Sequence, residues 1–464
     1  MLVQDRLDEE KVRTLHAGLR GVLLKPEDAD YAEACHIYNA MIDRHPALIA
    51  RCVDVADVIA AVNFARETGL PLAIRGGGHN GAGLSMVDDG LVIDLSLMKG
   101  IWVDATARMV RVEGGCVWGD VDHATHPFGL AVPSGFISTT GVGGLTLGGG
   151  VGYLTRSLGL TIDNLLAVDL VLADGTVVTA SADDNPDLFW AVRGGGGNFG
   201  VVTSFLFRLN PVSTVYGGPM FYTMEDAPVV LRRWRDFILN APEDIGGWFG
   251  FHHVPPVAMF SEEHHLKKAA VIVWCYNGPM ERAEEVFKPL RAWAAPIMDF
   301  AGPIPWPVLQ SLFDGLYPPG LHWYWRTDFV TTIPDEAVDQ HIRYASELPT
   351  LHSTMHLYPI NGAAHRVHEN DTAWSYRDAN FVEVIVGVDA DPANSGTMTR
   401  WAQDYWNALH PYSAGGAYVN MMMEEGQERV QAAYRDNYDR LAAIKATYDP
   451  GNLFRVNQNI RPRT

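Results

Sequence analysis

A chain of 464 residues, of which 47% are hydrophobic and 19% charged, can bury a large core and exceeds the usual length of one compact domain. Its 55 acidic and 35 basic residues give a formal net charge of -20, which repels phosphate backbones and anionic membrane surfaces. We therefore expect two domains, with neither nucleic acid nor a membrane as partner.

The cysteines and the N-terminal segment indicate the compartment. Cys35, Cys52, Cys116 and Cys275 are widely spaced and form no CxxC pair, which predicts neither a disulfide framework nor a zinc site. The first 21 residues mix charges throughout, and no run of about 18 apolar residues occurs in the chain. We expect a soluble, cytoplasmic protein.

The first half of the chain alternates helical and strand patterns. VADVIAAVNFARETGL has apolar residues at helical spacing and reaches Gly69, where a C-terminal cap is expected. PLAI then predicts a strand that enters the loop RGGGHN. Short apolar runs between residues 90 and 132 predict further strands, with a short helix in CVWGDVDHATHPFGL closed by Gly129. In LLAVDLVLADGTVVTAS the central turn predicts a hairpin.

Three glycine clusters lie in this half, at residues 76–78, 141–152 and 194–200. Glycine lets the backbone approach a bulky ligand closely and leaves amides free to donate, so a dinucleotide pyrophosphate is one interpretation. Tight turns alone are the other. No GxxxxGK[ST] sequence is present, and the approximations to GxGxxG near Gly141 and Gly148 lack the flanking strand of a Rossmann site.

Composition changes beyond about residue 210, where tryptophan, proline and histidine become frequent. Strand-like aromatic segments alternate there with helical ones, such as the helix predicted from Glu281 to Trp293. The prediction is an α+β protein of two domains. Residues 1–207, with the returning segment 416–464, form one domain, and residues 208–415 form a second with an antiparallel sheet backed by helices.

The chain resembles a known family through several segments in a fixed order: RGGGHN, PSGFISTTGVGGLTLGGGVGYLTRSLGLTIDNLL, VLADGTVV, NPDLFWAVRGGGGNFGVVTSFLFRL, AYVN and YDPGNLFRVNQNI. Together they resemble the berberine-bridge-enzyme-like FAD-linked oxidases of the vanillyl-alcohol-oxidase type, from about residue 45 to the C-terminus. This resemblance implies a PCMH-type FAD-binding domain and a substrate domain. Among the members, the singly linked bacterial amine oxidases, such as the 6-hydroxynicotine oxidases, have the most similar pattern.

The resemblance implies where FAD binds. The histidine of the RGGGHN motif carries the flavin in this family, which implies a covalent link through His79. The other cofactor-binding residues it implies are Arg75, Gly76, Gly77, Gly78, Asn80, Ser85, Pro133, Gly135, Thr140, Gly141, Gly143, Gly144, Thr146, Gly149, Gly150, Asn164, Gly200, Val202, Tyr418, Asn420 and Asn457.

The chain departs from the family at two positions. Many members form a second flavin link through a cysteine where this chain has Ile137, so a single histidyl link is implied. Cys116 lies in another motif and is expected to be a buried core residue. Several members place a catalytic tyrosine after the asparagine of AYVN, and this chain has Met421 there.

Three residues are candidates for the chemistry. Glu383 stands alone among apolar neighbours in NFVEVIVGV, and the family's active-site group tends to come from this strand. It either faces the flavin with a raised pKa or points to solvent, as one face of an antiparallel sheet commonly does. Tyr358 and Tyr153 are candidate phenolic bases or hydrogen-bond donors, and both are equally open to a role in the core.

The aromatic and histidine patterns suggest the ligand. Trp323, Tyr324 and Trp325 alternate on a predicted strand, so one face of this trio is expected to line a pocket for a planar or apolar substrate. His252 and His253, like His264 and His265, are adjacent pairs whose side chains diverge, so no metal site is expected.

We expect an oxidoreductase that takes a hydride from a CH–OH or CH–NH group of a small aromatic or heterocyclic substrate, with molecular oxygen as acceptor and hydrogen peroxide as product. Two alternatives remain open: a dehydrogenase with another electron acceptor, and a non-redox cyclase or binding protein that contains FAD. The sequence leaves the oligomeric state open.

Overall fold

The structure, a computed structural model, describes residues 8–463. The helices are α1 (Glu9–Gly18), α2 (Tyr31–Cys35), α3 (Val55–Thr68), α4 (Trp118–Thr125), α5 (Val142–Leu147), α6 (Thr155–Leu158), α7 (Pro186–Val192), α8 (Ala227–Asn240), α9 (Ala283–Leu290), α10 (Trp306–Gln310), α11 (Asp335–Ser346), α12 (Ser395–Leu409), α13 (Gln427–Tyr434) and α14 (Asn437–Tyr448). The strands are β1 (Val22–Leu24), β2 (Leu48–Arg51), β3 (Leu72–Arg75), β4 (Leu91–Asp94), β5 (Ile101–Asp104), β6 (Met109–Glu113), β7 (Leu130–Ala131), β8 (Leu165–Val171), β9 (Val177–Ser181), β10 (Val201–Arg208), β11 (Asn210–Pro211), β12 (Thr214–Thr223), β13 (Ile245–His253), β14 (Lys268–Tyr276), β15 (Met298–Asp299), β16 (Gly302–Pro305), β17 (His322–Val330), β18 (Thr354–Pro359) and β19 (Phe381–Asp389).

The strands form three larger sheets and one short pair. A four-stranded sheet has the order β1-β2-β4-β3, with β4 parallel to both β2 and β3. A five-stranded antiparallel sheet has the order β5-β6-β10-β8-β9, and β7 pairs with β11. An eight-stranded antiparallel sheet contains the strands between residues 214 and 389. The α+β prediction is confirmed.

Local sequence signals account for the first elements. Asp54 accepts hydrogen bonds from the amides of Ala56 and Asp57 and so caps the start of α3. Gly69 ends that helix with φ 70, a left-handed conformation that glycine adopts without strain. The predicted helix and its C-terminal cap are confirmed. The predicted helix over 281–293 is shorter than expected, because α9 ends at Leu290.

The eight-stranded sheet has two different faces. Phe249 and Trp274 on one face pack against helices α8, α9, α11 and α12. The helices contribute Trp234, Phe287 and Tyr405 to this contact. The opposite face presents Trp248, Trp323 and Trp325 to the part of the chain that carries the glycine clusters. Tyr324 belongs to the helix-facing side, so the predicted division of the Trp323–Trp325 trio is confirmed.

No helix between residues 8 and 463 is long and apolar enough to cross a membrane.

A buried carboxylate joins the two halves of the chain. Asp122 on α4 is only 1% exposed, and its Oδ1 accepts a hydrogen bond of 2.8 Å from the indole Nε1 of Trp306 on α10. Its Oδ2 has no partner among the described residues. Burial raises the pKa of Asp122 from 3.8 to about 7, against the opposing effect of the Trp306 hydrogen bond.

Asp122→Asn is expected to make stability less dependent on pH. The pKa of Asp122 is higher in the folded protein than in the unfolded protein. The folded wild type is therefore most stable below about pH 4 and loses stability as the pH rises through 7. We expect the free energy of unfolding of the variant, measured by urea titration, to rise by roughly 2 kcal/mol relative to that of wild type between pH 5 and pH 8. The buried amide of the variant also has a cost in stability, but this cost is the same at every pH and so cancels when pH 5 is compared with pH 8. Parallel pH profiles for the two proteins would contradict the assignment.

Candidate functional site

The three glycine clusters meet at one cavity of about 340 Å³. One wall comes from residues 76–80, 135–145, 196–200 and 454–458. The other wall is the aromatic face of the eight-stranded sheet. The cavity therefore lies where loops with exposed backbone face a sheet with bulky side chains.

The glycine wall has the features of a cradle for a dinucleotide. The amides of residues 76–80 donate no hydrogen bond to any residue in the described part of the chain. A Cβ atom at Gly144 or Gly197 would meet no atom within 4 Å, so these glycines leave room in the cavity. The Ser85 hydroxyl is also buried and has no hydrogen-bond partner among residues 8–463. These free donors fit a pyrophosphate, and the residues present therefore fit FAD.

Most of the residues predicted to bind the cofactor line this cavity. They are His79, Gly76, Gly77, Gly78, Asn80, Ser85, Gly135, Thr140, Gly141, Gly143, Gly144, Gly200, Val202, Tyr418, Asn420 and Asn457.

Two polar side chains of the prediction lie away from the cavity, and their role in cofactor binding stays a prediction. The Arg75 guanidinium is buried against Asp94, with Nη2 2.6 Å from Oδ2. Asn164 uses its Nδ2 to donate to the carbonyl oxygens of Leu158 and Leu160. Both side chains stabilise the elements that carry the cavity loops, because their polar atoms are already paired within the protein.

Four smaller residues of the prediction also lie outside the cavity lining. The Pro133 carbonyl accepts a hydrogen bond from Thr161, and Thr146 is fully buried on α5. At Gly149 a Cβ would strike the Trp374 ring, and at Gly150 it would strike Thr161. These glycines, with φ 126 and 82, permit close packing behind the cavity wall instead of contact with a ligand.

His79 lies at the cavity surface in a fixed orientation. Its ring stacks on Tyr38 with centroids 3.9 Å apart, and its Nε2 is 3.1 Å from the Thr139 hydroxyl. Burial lowers the pKa of His79 from 6.5 to about 4, although the contact with Thr139 opposes this shift. The ring is therefore neutral at pH 7. Nδ1 makes no hydrogen bond to a described residue, and it has a lone pair for another partner when Nε2 carries the proton and donates it to Thr139.

The positions that matter for a second flavin link are apolar. Ile137 lines the cavity, where its side chain offers no nucleophile. Cys116 does not line the cavity and is completely buried in the core around Trp118 and Phe205. Burial raises the pKa of the Cys116 thiol to about 12, which makes it unreactive as a thiolate. Met421, at the family's tyrosine position, also lines the cavity.

The prediction that Glu383 faces the flavin or solvent is wrong. On β19 the side chains of Val384 and Val386 line the cavity, and the alternation of a strand turns Glu383 to the helix-covered face. There its Oε2 is 3.5 Å from Nε2 of His341 on α11. Burial raises the pKa of Glu383 well above 4.5, and the nearby Asp328 adds to this shift.

The two tyrosine candidates have different surroundings. Tyr358 on β18 lines the cavity and stacks on Phe136 with centroids 4.2 Å apart. Tyr153 does not line it, because its ring packs edge-on behind Phe136, at 4.9 Å. Its hydroxyl has no partner among residues 8–463. Tyr153 is therefore buried in the core, and its role in the chemistry stays a prediction.

A chain of polar side chains, absent from the predictions, runs behind Tyr358. The Tyr358 hydroxyl is 2.6 Å from Nδ1 of His356, and Nε2 of His356 is 2.8 Å from Nε2 of His252. The Thr354 hydroxyl lies within 3.0 Å of both Nε2 atoms. At the far end, the Tyr317 hydroxyl is 3.2 Å from Nδ1 of His252. We call these five residues the Tyr358–Tyr317 chain.

Strand pairing explains how this chain forms. Strands β13 and β18 are antiparallel neighbours, with Gly250 opposite His356, which brings His252 opposite Thr354 on the same face. The period-two pattern of Thr354, His356 and Tyr358 in STMHLYP was a signal for a shared face. The neighbouring strand β13 was not predictable in the same way, because His252 and His356 are 104 residues apart in sequence and only the tertiary fold pairs their strands.

The remaining cavity wall is aromatic and uncharged. No Asp, Glu, Lys or Arg side chain of the described residues lines the cavity. The large aromatic side chains of the whole cavity are Tyr38, Phe136, Phe205, Trp248, Phe313, Tyr317, Trp323, Trp325, Tyr358, Tyr418, Tyr434 and Phe454. Such a wall favours a neutral, planar ligand.

Comparisons with known proteins agree with this geometry. Residues 46–181 match the family described as FAD binding domain, and residues 417–461 match the one described as berberine and berberine like. The chain is 31% identical to an FAD-linked oxidoreductase of Dictyostelium discoideum, over 96% of this chain and 95% of that protein. It is 30% identical to (R)-6-hydroxynicotine oxidase of Paenarthrobacter nicotinovorans, over 96% and 97%. The crystal structure of 6-hydroxy-D-nicotine oxidase from Arthrobacter nicotinovorans superposes with a TM-score of 0.84 at 26% identity, covering 96% and 98% of the two chains.

Proposed function

Because the chain belongs to the FAD-linked oxidoreductase family, we propose that it is an oxidase with one FAD joined to His79. It takes a hydride from a CH–OH or CH–NH group of a small aromatic or heterocyclic molecule and passes the electrons to oxygen, which gives hydrogen peroxide. Residues 1–207 and 416–464 hold the cofactor, and residues 208–415 cover the substrate.

The four cysteines, all free, support a reducing compartment such as the cytoplasm.

The single observation that carries the substrate class is the uncharged aromatic wall opposite the glycine cradle. A neutral planar molecule gains from stacking there, whereas a sugar would leave its hydroxyl groups without partners over most of this surface. The relatives named as hydroxynicotine oxidases support a heterocyclic amine as one member of this class.

The protein's own side chains bind, orient and shield the reactants. FAD supplies a two-electron acceptor when it is bound. His79 fixes one edge of the cavity, because its ring is held between Tyr38 and Thr139. Tyr358 provides a polar group on the opposite wall, where a substrate hydroxyl or amine can donate its proton. The tryptophans around it exclude water from the reacting carbon.

Peroxide release tests this function. We would supply the purified holoprotein with (R)-6-hydroxynicotine, 4-hydroxybenzyl alcohol or xylobiose and follow peroxide with a peroxidase-coupled dye. We expect peroxide from at least one aromatic donor and none from xylobiose. Bleaching of the flavin without oxygen, but no peroxide with oxygen, would indicate a dehydrogenase. A flavin that no donor bleaches would favour the non-redox alternative.

A further inference from the structure

We propose that the Tyr358–Tyr317 chain is a proton relay, through which Tyr358 takes a proton from the substrate and Tyr317 releases one to water. The proposal rests on the proposed function, since it needs a substrate O–H or N–H group in the cavity. Tyr358 contacts this cavity directly, so it is the catalytic residue of the relay. His356, His252 and Tyr317 act through it and are positioning residues.

The hydrogen-bond geometry allows only one proton between the two imidazoles. Their Nε2 atoms are 2.8 Å apart, so one ring donates and the other accepts. For Tyr358 to receive a substrate proton, its own hydroxyl must donate to Nδ1 of His356. His356 then carries its proton on Nε2, and His252 carries its proton on Nδ1.

Each step of the relay replaces one bond to hydrogen by another. The substrate O–H or N–H bond breaks as the Tyr358 oxygen gains that proton, and the former hydroxyl proton moves to Nδ1 of His356. The Nε2 proton of His356 moves to Nε2 of His252. The Nδ1 proton of His252 moves to the Tyr317 oxygen, whose former proton passes to water. One proton leaves the substrate, and no side chain ends with a changed charge.

The surroundings suit a neutral relay. Burial lowers the pKa of His252 from 6.5 to about 3 and the pKa of His356 well below 6.5. His253 adds to the effect on His252, and His252 adds to the effect on His356. No Asp or Glu forms an ion pair with either ring in the described part of the chain. Both imidazoles therefore remain neutral at pH 7. The relay requires neutral rings, because it passes protons without any side chain keeping a charge.

Two packing features hold the relay in place. A Cβ at Gly250 would lie 2.7 Å from Cδ2 of His356, so glycine at this position leaves the space that the ring occupies. The Thr354 hydroxyl donates to the carbonyl of Phe251, so its oxygen can accept only from the protonated Nε2 of His356, 2.9 Å away. At the exit, Tyr317 is buried, with 6% of its surface exposed, and lines the cavity, so the proton that leaves its hydroxyl passes to water in the cavity.

The first test reads the tautomers without turnover. Two-bond ¹H–¹⁵N spectra of the holoprotein labelled with [¹⁵N]histidine, assigned with His252→Asn and His356→Asn, should show two neutral rings from pH 6 to 8. We expect His356 protonated on Nε2 and His252 on Nδ1. The reverse pair of tautomers, or an imidazolium at either position, would overturn the relay.

The second test follows flavin reduction by stopped flow under anaerobic conditions, with the aromatic donor that gives peroxide. We expect Tyr317→Phe to slow reduction by at least about tenfold and His356→Asn by roughly 100-fold, with loss of the wild-type solvent deuterium isotope effect. His253→Gln is the matched control, because His253 is the next residue on β13 and points to the other face. Wild-type rates and isotope effects in Tyr317→Phe would overturn the relay.

The two tests separate the relay from the proposed function. If no donor reduces the wild-type flavin but the tautomers are as expected, the oxidase function is wrong and with it the role of the relay in substrate oxidation. If donors reduce the flavin but the tautomers or isotope effects differ, the relay is wrong and the oxidase function stands.

Discussion

Gly77→Ala is expected to produce a protein that loses FAD and is less stable by roughly 3 kcal/mol in free energy of unfolding. A Cβ at Gly77 would lie 2.6 Å from Cα of Gly141 and still closer to its amide nitrogen. Both contacts are with backbone, so no side-chain rotation can relieve them. The 76–80 loop must then move away from the 141–144 segment, and the cradle between them opens.

The measurement is the flavin absorbance per chain after gel filtration, together with urea unfolding of the same preparation. Gly144→Ala is the matched control, since its Cβ meets no protein atom within 4 Å and projects into the cavity. We expect this control to keep wild-type stability and to retain less flavin. Wild-type stability and full flavin content in Gly77→Ala would contradict the proposed cradle.

His79→Ala is expected to abolish acid-stable flavin and to lower kcat by roughly 10- to 100-fold, because the flavin loses its fixed position. The neutral imidazole at the cavity surface has one nitrogen with a lone pair, and Nδ1 is that nitrogen when Nε2 donates its proton to Thr139. Acid-precipitated wild-type protein should be yellow, and the variant pellet should be colourless. The variant should still bind dissociable FAD through the glycine cradle.

Thr139→Val separates orientation from attachment. This variant keeps the imidazole and removes the hydroxyl 3.1 Å from Nε2. We expect its pellet to become yellow more slowly than that of wild type when the apoprotein is incubated with FAD. A yellow pellet from His79→Ala would mean that another residue carries the flavin.

Local structure was predictable where short-range chemistry determines it. The helix over Val55–Thr68 follows from its apolar spacing, the Asp54 cap and Gly69. The glycine clusters indicated that backbone lines a ligand site, and they meet at one cavity. The ion pair of Arg75, within the same motif, was not predictable, because its partner Asp94 lies on a neighbouring parallel strand and sequence spacing does not specify that pairing.

The chemistry of the opposite wall was harder to predict. Alternation on β19 showed that Glu383 and Val384 face opposite sides, but not which side faces the cavity. That choice depends on the helix layer of α11 and α12, which covers Glu383. Likewise, His252 and His356 are unremarkable in sequence and become partners only through the pairing of β13 with β18.

The attachment of FAD to His79 is tested most directly by the mass of one peptide. Trypsin should release residues 76–99, which contain His79 and no internal Lys or Arg. In the purified holoprotein we predict that this peptide carries the added mass of one FAD, with fragment ions that place it on His79. An unmodified 76–99 peptide, or the same added mass on the peptide that contains Cys116, would contradict the account.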